Sequence, residues 1–196
     1  MPYKKAFMNQ AEFVVSKGLV TDKHTDEYTK TVFDLPVPKD AIKEYGATGF
    51  SPAHVPGHNL DNSIDFLVNE GTPVYAMADG IVVEIKDDSD VHGISTKYWA
   101  EGNYVEIMHD PDDGCKISSY YEHLKFQGVV VKPGDTVSRD QVIGFSGNTG
   151  FTYTPHLHVQ VNKYLSDDIN DFVTLRIRFN DFPEDGSPAL YGLERK

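Results

Sequence analysis

The sequence predicts a mainly β protein: an antiparallel barrel-sandwich sheet with a groove, preceded by an N-terminal extension with little regular structure. Three observations carry that prediction. From Ser63 onward, short runs rich in Val, Ile, Tyr and Phe follow one another closely. Turn signals such as Asp79-Gly80 and Lys132-Pro133-Gly134-Asp135 stand between them. Within several runs apolar and polar residues alternate, as in a strand with one buried face.

Residues 1–50 read as the extension. Phe13, Val14 and Val15 give 9–19 a partly apolar face and predict a short helix, whereas 21–30 is charged and poor in hydrophobics, a solvated loop or frayed helix. Gly, Pro and Ser recur through 46–58, a loop leading into the main domain at 51–180. Residues 63–68 alternate, with Ile64, Phe66 and Val68 facing away from Asp65. Residues 73–77 and 80–85 are strand-like and meet at Asp79-Gly80. Further strands are expected at 103–108, 116–124, 127–131, 141–145 and 156–161. Another is expected where Val173, Leu175, Ile177 and Phe179 alternate with Thr174, Arg176 and Arg178. The polar stretch 87–102, with Trp99 in it, reads as a surface loop beside the groove, and 181–196 as an irregular tail.

A chain of 196 residues is long enough for one well-buried domain. Its formal charge of -12 argues against nucleic acid and against an anionic membrane surface as partners. No apolar run approaches a bilayer-spanning length. After Lys4 and Lys5, the polar residues Asn9, Gln10 and Glu12 interrupt what would have to be an apolar core, so the N-terminus does not read as a secretory signal. Cys115 is the single cysteine. An intrachain disulfide and a cysteine-based zinc site are therefore excluded, and its place in a turn reads as a tolerated thiol.

The stretch Pro155-His156-Leu157-His158-Val159-Gln160-Val161 places His156, His158 and Gln160 on one face of a strand and Leu157, Val159 and Val161 on the core face. Two imidazoles on one rigid face suit a metal with a second ring beside it for proton transfer. A pair of exposed strand histidines is the plainer alternative. The glycine-rich stretch 144–150 has neither phosphate-loop nor nucleophile-elbow spacing, and a strand follows it where a helix would be required. No H-E-x-x-H is present. The acidic run 87–90 lacks the remaining spacing of a calcium loop and reads as solvated.

Four elements stand in order: Asp65 ahead of Gly71-Thr72-Pro73-Val74-Tyr75-Ala76, Tyr121-Glu122-His123-Leu124, Ser146-Gly147-Asn148-Thr149-Gly150, and Pro155-His156-Leu157-His158. Together they resemble the lysostaphin-type zinc metalloendopeptidases, the family that includes the glycyl-glycine endopeptidases. The resemblance covers about residues 57–162. It implies one Zn2+ per chain, with Asp65 and His158 as ligands and His123 and His156 as the catalytic imidazoles. The first ligand departs from the commonest pattern, because Asp61 occupies the position four residues before Asp65. His58, reaching in from a longer loop, is favoured there. Asp61 itself and His54 are the alternatives. Which of His123 and His156 acts as base is left open.

The resemblance implies a zinc endopeptidase (a hydrolase) that cleaves an amide bond in an extended peptide lying in the groove, with peptidoglycan stem peptides or cross-bridges as substrate, outside the cytoplasm. A non-catalytic, wall-binding or regulatory member is the competing reading, prompted by the displaced first histidine. A phosphohistidine carrier on a similar β-sandwich is a third, disfavoured because Asp65 beside His-x-His suits a metal better. Asn103 is read as substrate-orienting, His109 as structural, Tyr121 as a packed aromatic, and His24 and His92 as solvated.

Overall fold

The computed structural model describes residues 20–46, 54, 57–110 and 114–181, together with 15, 17 and 18. The helix expected over 9–19 and the tail at 181–196 lie, apart from isolated positions, outside the described residues.

The main sheet contains β2 (Glu44–Gly46), β3 (Ile64–Leu67), β5 (Gly80–Lys86), β6 (Tyr104–His109), β7 (Ile117–Glu122), β8 (Thr136–Val137), β10 (Leu157–Tyr164) and β11 (Phe172–Thr174). Its order is β2-β3-β10-β7-β6-β5-β8, with β11 also paired to β10, and every pairing is antiparallel. Two small pairs stand beside it among the described residues: β4 (Pro73–Tyr75) with β9 (Val142–Phe145), and β1 (Tyr28–Phe33) with β12 (Arg176–Phe179). The expected mainly β antiparallel fold is the one observed.

β10 matters most, because it lies between β3 and β7. Its register sets His158 opposite Asp65 on one side and opposite Glu122 on the other. Directly opposed residues share a face of the sheet, so three chemistry-bearing side chains meet on the groove side. The intervening residues Leu157, Val159 and Val161 are fully buried with Ile64 and Phe66 in the core. Apolar residues at every second position thus anchor the strand and fix the direction of the polar ones.

Two stretches differ from expectation. In the first 50 residues β1 runs parallel to β12, and Phe33, Leu35 and Val37 enter the same core as Leu157 and Val159. Residues 28–33 alternate weakly and carry Lys30 between two threonines, which hides the strand behind its polar residues. Residues 127–131 form no strand. Gln127 takes φ 50°, and the amides of Gly128 and Val129 donate to the Asp87 carboxylate rather than to a ladder. Asp87 therefore has a structural task within the acidic run that read as solvated.

Candidate metal centre and active site

Asp65 is 1% exposed, with Ile64 and Phe66 on either side facing the core. A carboxylate sealed this far from water needs partners, and three imidazoles supply them. Its Oδ1 lies 3.1 Å from His158 Nδ1, 3.6 Å from His54 Nε2 and 3.6 Å from His156 Nε2. His54 Nε2 and His158 Nδ1 are 3.0 Å apart. Burial would push the Asp65 pKa up, but the charges of His54 and His156 and the hydrogen bond to His158 outweigh it and hold the carboxyl well below the usual range. Burial also opposes charge on His158. The bond to Asp65 and the charges of Asp65 and Glu122 prevail, and its pKa is raised.

His54, Asp65 and His158 form a group whose ligating atoms lie within 4.8 Å of one another. Two imidazoles and a carboxylate are a donor set of catalytic zinc sites, and at ordinary bond lengths tetrahedral ligand atoms stand about 3.3 Å apart. The observed 3.0, 3.1 and 3.6 Å bracket that spacing. Two buried polar atoms beside the group, Asp65 Oδ2 and His156 Nε2, have no hydrogen-bond partner. Orphaned atoms in so polar a cluster call for a cation or water, and the residues fit a zinc ion.

Among the ligands expected from sequence, Asp65 and His158 come together and His58 does not join them. His54 takes that place. The loop between them turns back over 57–62, with the amide of Asp61 donating to the His58 carbonyl at 3.1 Å and that of Ser63 to Leu60 at 3.2 Å. The Gly57 amide donates to Asp61 Oδ2 at 3.0 Å, so Asp61 braces this turn instead of facing the cluster. His24, expected to be solvated, forms an ion pair with the same carboxylate.

His123 and His156 are both present at the centre. Their ring centroids are 4.5 Å apart, and His123 lies 5.9 Å from His158. His123 sits just past β7 with φ 63°, a left-handed conformation that costs a non-glycine residue about 1–2 kcal/mol. The turn it makes brings Nδ1 to the Thr149 carbonyl at 2.7 Å and sends the Leu124 amide to the Asn103 carbonyl at 3.0 Å. Since a carbonyl only accepts, Nδ1 carries the proton and Nε2 is bare. Burial, together with the charges of His156 and His158, pushes the His123 pKa well down. His156 Nδ1 likewise donates to the Thr154 carbonyl at 2.9 Å and turns Nε2 towards the Asp65 carboxylate at 3.6 Å.

The glycine turn at 144–150 positions both rings. A Cβ on Gly147 would meet the Lys125 amide nitrogen at 2.5 Å, and one on Gly150 would meet that of Gly102 at 2.5 Å. Only glycine lets this turn close on the backbone around His123. Asn103, read as substrate-orienting, is wholly buried and bonds the Ser89 amide and carbonyl, so its work is structural. His109 bridges the Asp79 carbonyl and Ser119, and Tyr121 is packed in the core.

A cavity of about 790 Å³ opens along the polar face of the sheet, lined among others by Trp99, Tyr104, Tyr120, Glu122, His123 and His158. Burial raises the Glu122 pKa, as does Asp65, while His158 opposes. Sequence spacing gave no sign of Glu122, because its position opposite His158 is a property of strand register.

Residues 59–170 match the model of peptidase family M23. The chain belongs to peptidase family M23. Among curated relatives of this M23 chain, the peptidoglycan DD-endopeptidase ShyA of Vibrio cholerae is 40% identical over 100 residues, 51% of this chain and 20% of that protein. Lysostaphin of Staphylococcus simulans is 36% identical over 110 residues, 55% of this chain and 20% of that protein. The chain thus spans about a fifth of the length of these relatives. Among solved structures, a zinc-containing peptidase from Vibrio cholerae superposes with a TM-score of 0.50 at 29% identity, covering 74% of this chain and 39% of that one. Its M23 membership accounts for the order of the four sequence elements.

Proposed function

We propose that this M23 chain is a zinc-dependent endopeptidase that hydrolyses an amide bond of an extended peptide lying in the groove, with His54, Asp65 and His158 holding the metal. The observation that carries this reading is the buried His-Asp-His group at tetrahedral spacing with two further imidazoles beside it, each anchored through Nδ1. A bound zinc ion supplies Lewis-acid polarisation of the scissile carbonyl and activation of water. The protein's own groups do the rest. Asp65 supplies the negative charge, and the core residues on either side of it keep its oxygens in place.

His123 is neutral at physiological pH and accepts a proton at Nε2, its ring fixed by Thr149. His156 Nε2, 3.6 Å from Asp65 Oδ1, takes up a proton and relays it to the leaving amine or, once protonated, donates a hydrogen bond to the developing oxyanion. The sheet face beneath the cavity excludes water from one side of the peptide and orients it. The relatives' names point to peptidoglycan stem peptides or cross-bridges as substrate, and hence to a place of action outside the cytoplasm.

The test is metal analysis of the purified chain together with hydrolysis of peptidoglycan and of glycine-rich peptides. One zinc per chain and chelator-sensitive cleavage are expected. A chain that takes up no zinc on reconstitution overturns the reading. A wall-binding role without catalysis predicts instead that His156→Ala behaves as the wild type.

A further inference from the structure

An imidazole binds a metal only through a nitrogen without a proton, so the tautomer of His158 decides whether Nδ1 is available to the centre. A line of buried polar side chains leads from that ring along the groove floor to Glu106 on β6. Glu106, Ser118, Asn162, Gln160 and His158 are each at most 9% exposed. Their direction of donation follows from the far end. A carboxylate only accepts, so Ser118 Oγ, 2.6 Å away, donates its single proton to Glu106 Oε1, as does the Tyr164 hydroxyl.

Ser118 then offers only lone pairs to Asn162, which turns Nδ2 towards it at 3.4 Å. Asn162 Oδ1 is left to accept from Gln160 Nε2 at 2.6 Å. Gln160 is thereby held with Oε1 towards His158 Nε2 at 3.0 Å, and Ser63 Oγ donates to the same oxygen at 3.3 Å. An oxygen facing Nε2 requires a proton there. Nδ1, which in the metal-free ring bonds the Asp65 carboxylate and lies beside His54, is then the nitrogen whose proton gives way to a metal, because the one on Nε2 is held by the line.

We propose that Glu106, acting through Ser118, Asn162 and Gln160, sets the tautomer of His158 and is a positioning residue of the metal centre although it touches neither metal ligands nor metal. The proposal rests on the zinc reading above. Partners that orient a ligating histidine are worth 10- to 100-fold in metal affinity. Here the partner that decides the orientation stands four hydrogen bonds away.

The experiment measures zinc affinity by competition with a chromophoric chelator, together with the 15N signals of His158 in zinc-loaded, histidine-labelled protein. Glu106→Gln puts a donor where only an acceptor stood and lets the line reverse. Its zinc affinity should fall about 10- to 100-fold, and the protonated-nitrogen signal of His158 Nε2 should broaden or shift.

Adding Gln160→Glu places an acceptor-only group beside His158 whatever lies beyond it, so the double variant should recover the wild-type affinity and signal. Should Glu106→Gln fail to fold, Ser118→Ala breaks the line at the same point and is read against Ser118→Thr, which keeps the hydroxyl. Wild-type affinity and an unchanged His158 signal in Glu106→Gln, or a loss that Gln160→Glu does not relieve, overturn the proposal. A wild-type chain that binds no zinc overturns the metal reading beneath it instead.

Discussion

His54 and His58 stand four residues apart in one loop, and only the first reaches the Asp65 carboxylate. His54→Ala should therefore abolish stoichiometric zinc binding, whereas His58→Ala should leave the metal content unchanged; elemental analysis after reconstitution decides between them. The reverse result would return the ligand role to His58. This is also where the sequence was least legible. Strand residues are ordered by a period of two, so the shared face of His156, His158 and Gln160 could be read directly. A loop has no period, and nothing in the spacing ranks His54 above His58.

His123 allows a test by pH. In the metal-free protein its folded pKa lies well below the ordinary value. Below about pH 6.5 the unfolded chain therefore takes up a proton that the folded chain refuses, and stability falls by at most about 1.4 kcal/mol per pH unit. His158 has the opposite sign: its raised pKa contributes stability fully present below about pH 6.5 and lost as the pH rises through the folded value. His123→Gln removes only the first effect. Between pH 7 and 5 the melting temperature of the metal-free variant should fall less steeply than that of the wild type; parallel slopes would rule His123 out as the source.

At the scale of elements, the site depends on β10 and on the glycine turn ahead of it. Both were visible in the sequence, the strand from its alternation and the turn from its three glycines. Their purpose was not, because the surfaces that the glycines approach belong to residues 102 and 124–125. Gly150 has φ 84°, and a side chain there would press on Gly102. Gly150→Ala should shift the Thr149 carbonyl away from His123 while the ligand strands stay in place. Peptide hydrolysis should then fall by roughly 10²-fold with zinc content retained, a separation that paired activity and metal measurements will show. Loss of zinc alongside activity would mean that the turn supports the ligands as well. The strand expected at 127–131 failed for a related reason: side-chain acceptors such as Asp87 compete with a β ladder, and a run of valines does not reveal them.

At the scale of the whole molecule, β1 and β12 lie side by side, and Phe33 packs with Phe179 into the core shared by the catalytic strands. Phe33→Ala should cost about 3–5 kcal/mol in urea unfolding even though residue 33 precedes the segment matched to the family. A cost near zero would show that residues 28–46 are dispensable to the core. On the zinc reading proposed above, the ion should add its own stabilisation by binding the folded chain: about 4 kcal/mol at a free concentration 1,000 times Kd. A melting temperature indifferent to chelator would contradict this.

The loop bearing His54 is fastened far along the chain. Asn62 donates to Thr174 through both its backbone amide and its side chain, across 112 residues, and the Thr174 amide donates back to Asn59. Contacts between such distant positions form late, and synthesis delivers residue 174 long after residue 62. The strands can pair while the loop bearing His54 is still adrift. On the zinc reading proposed above, metal capture would then wait for the last fastening of the fold, when Thr174 finds Asn62.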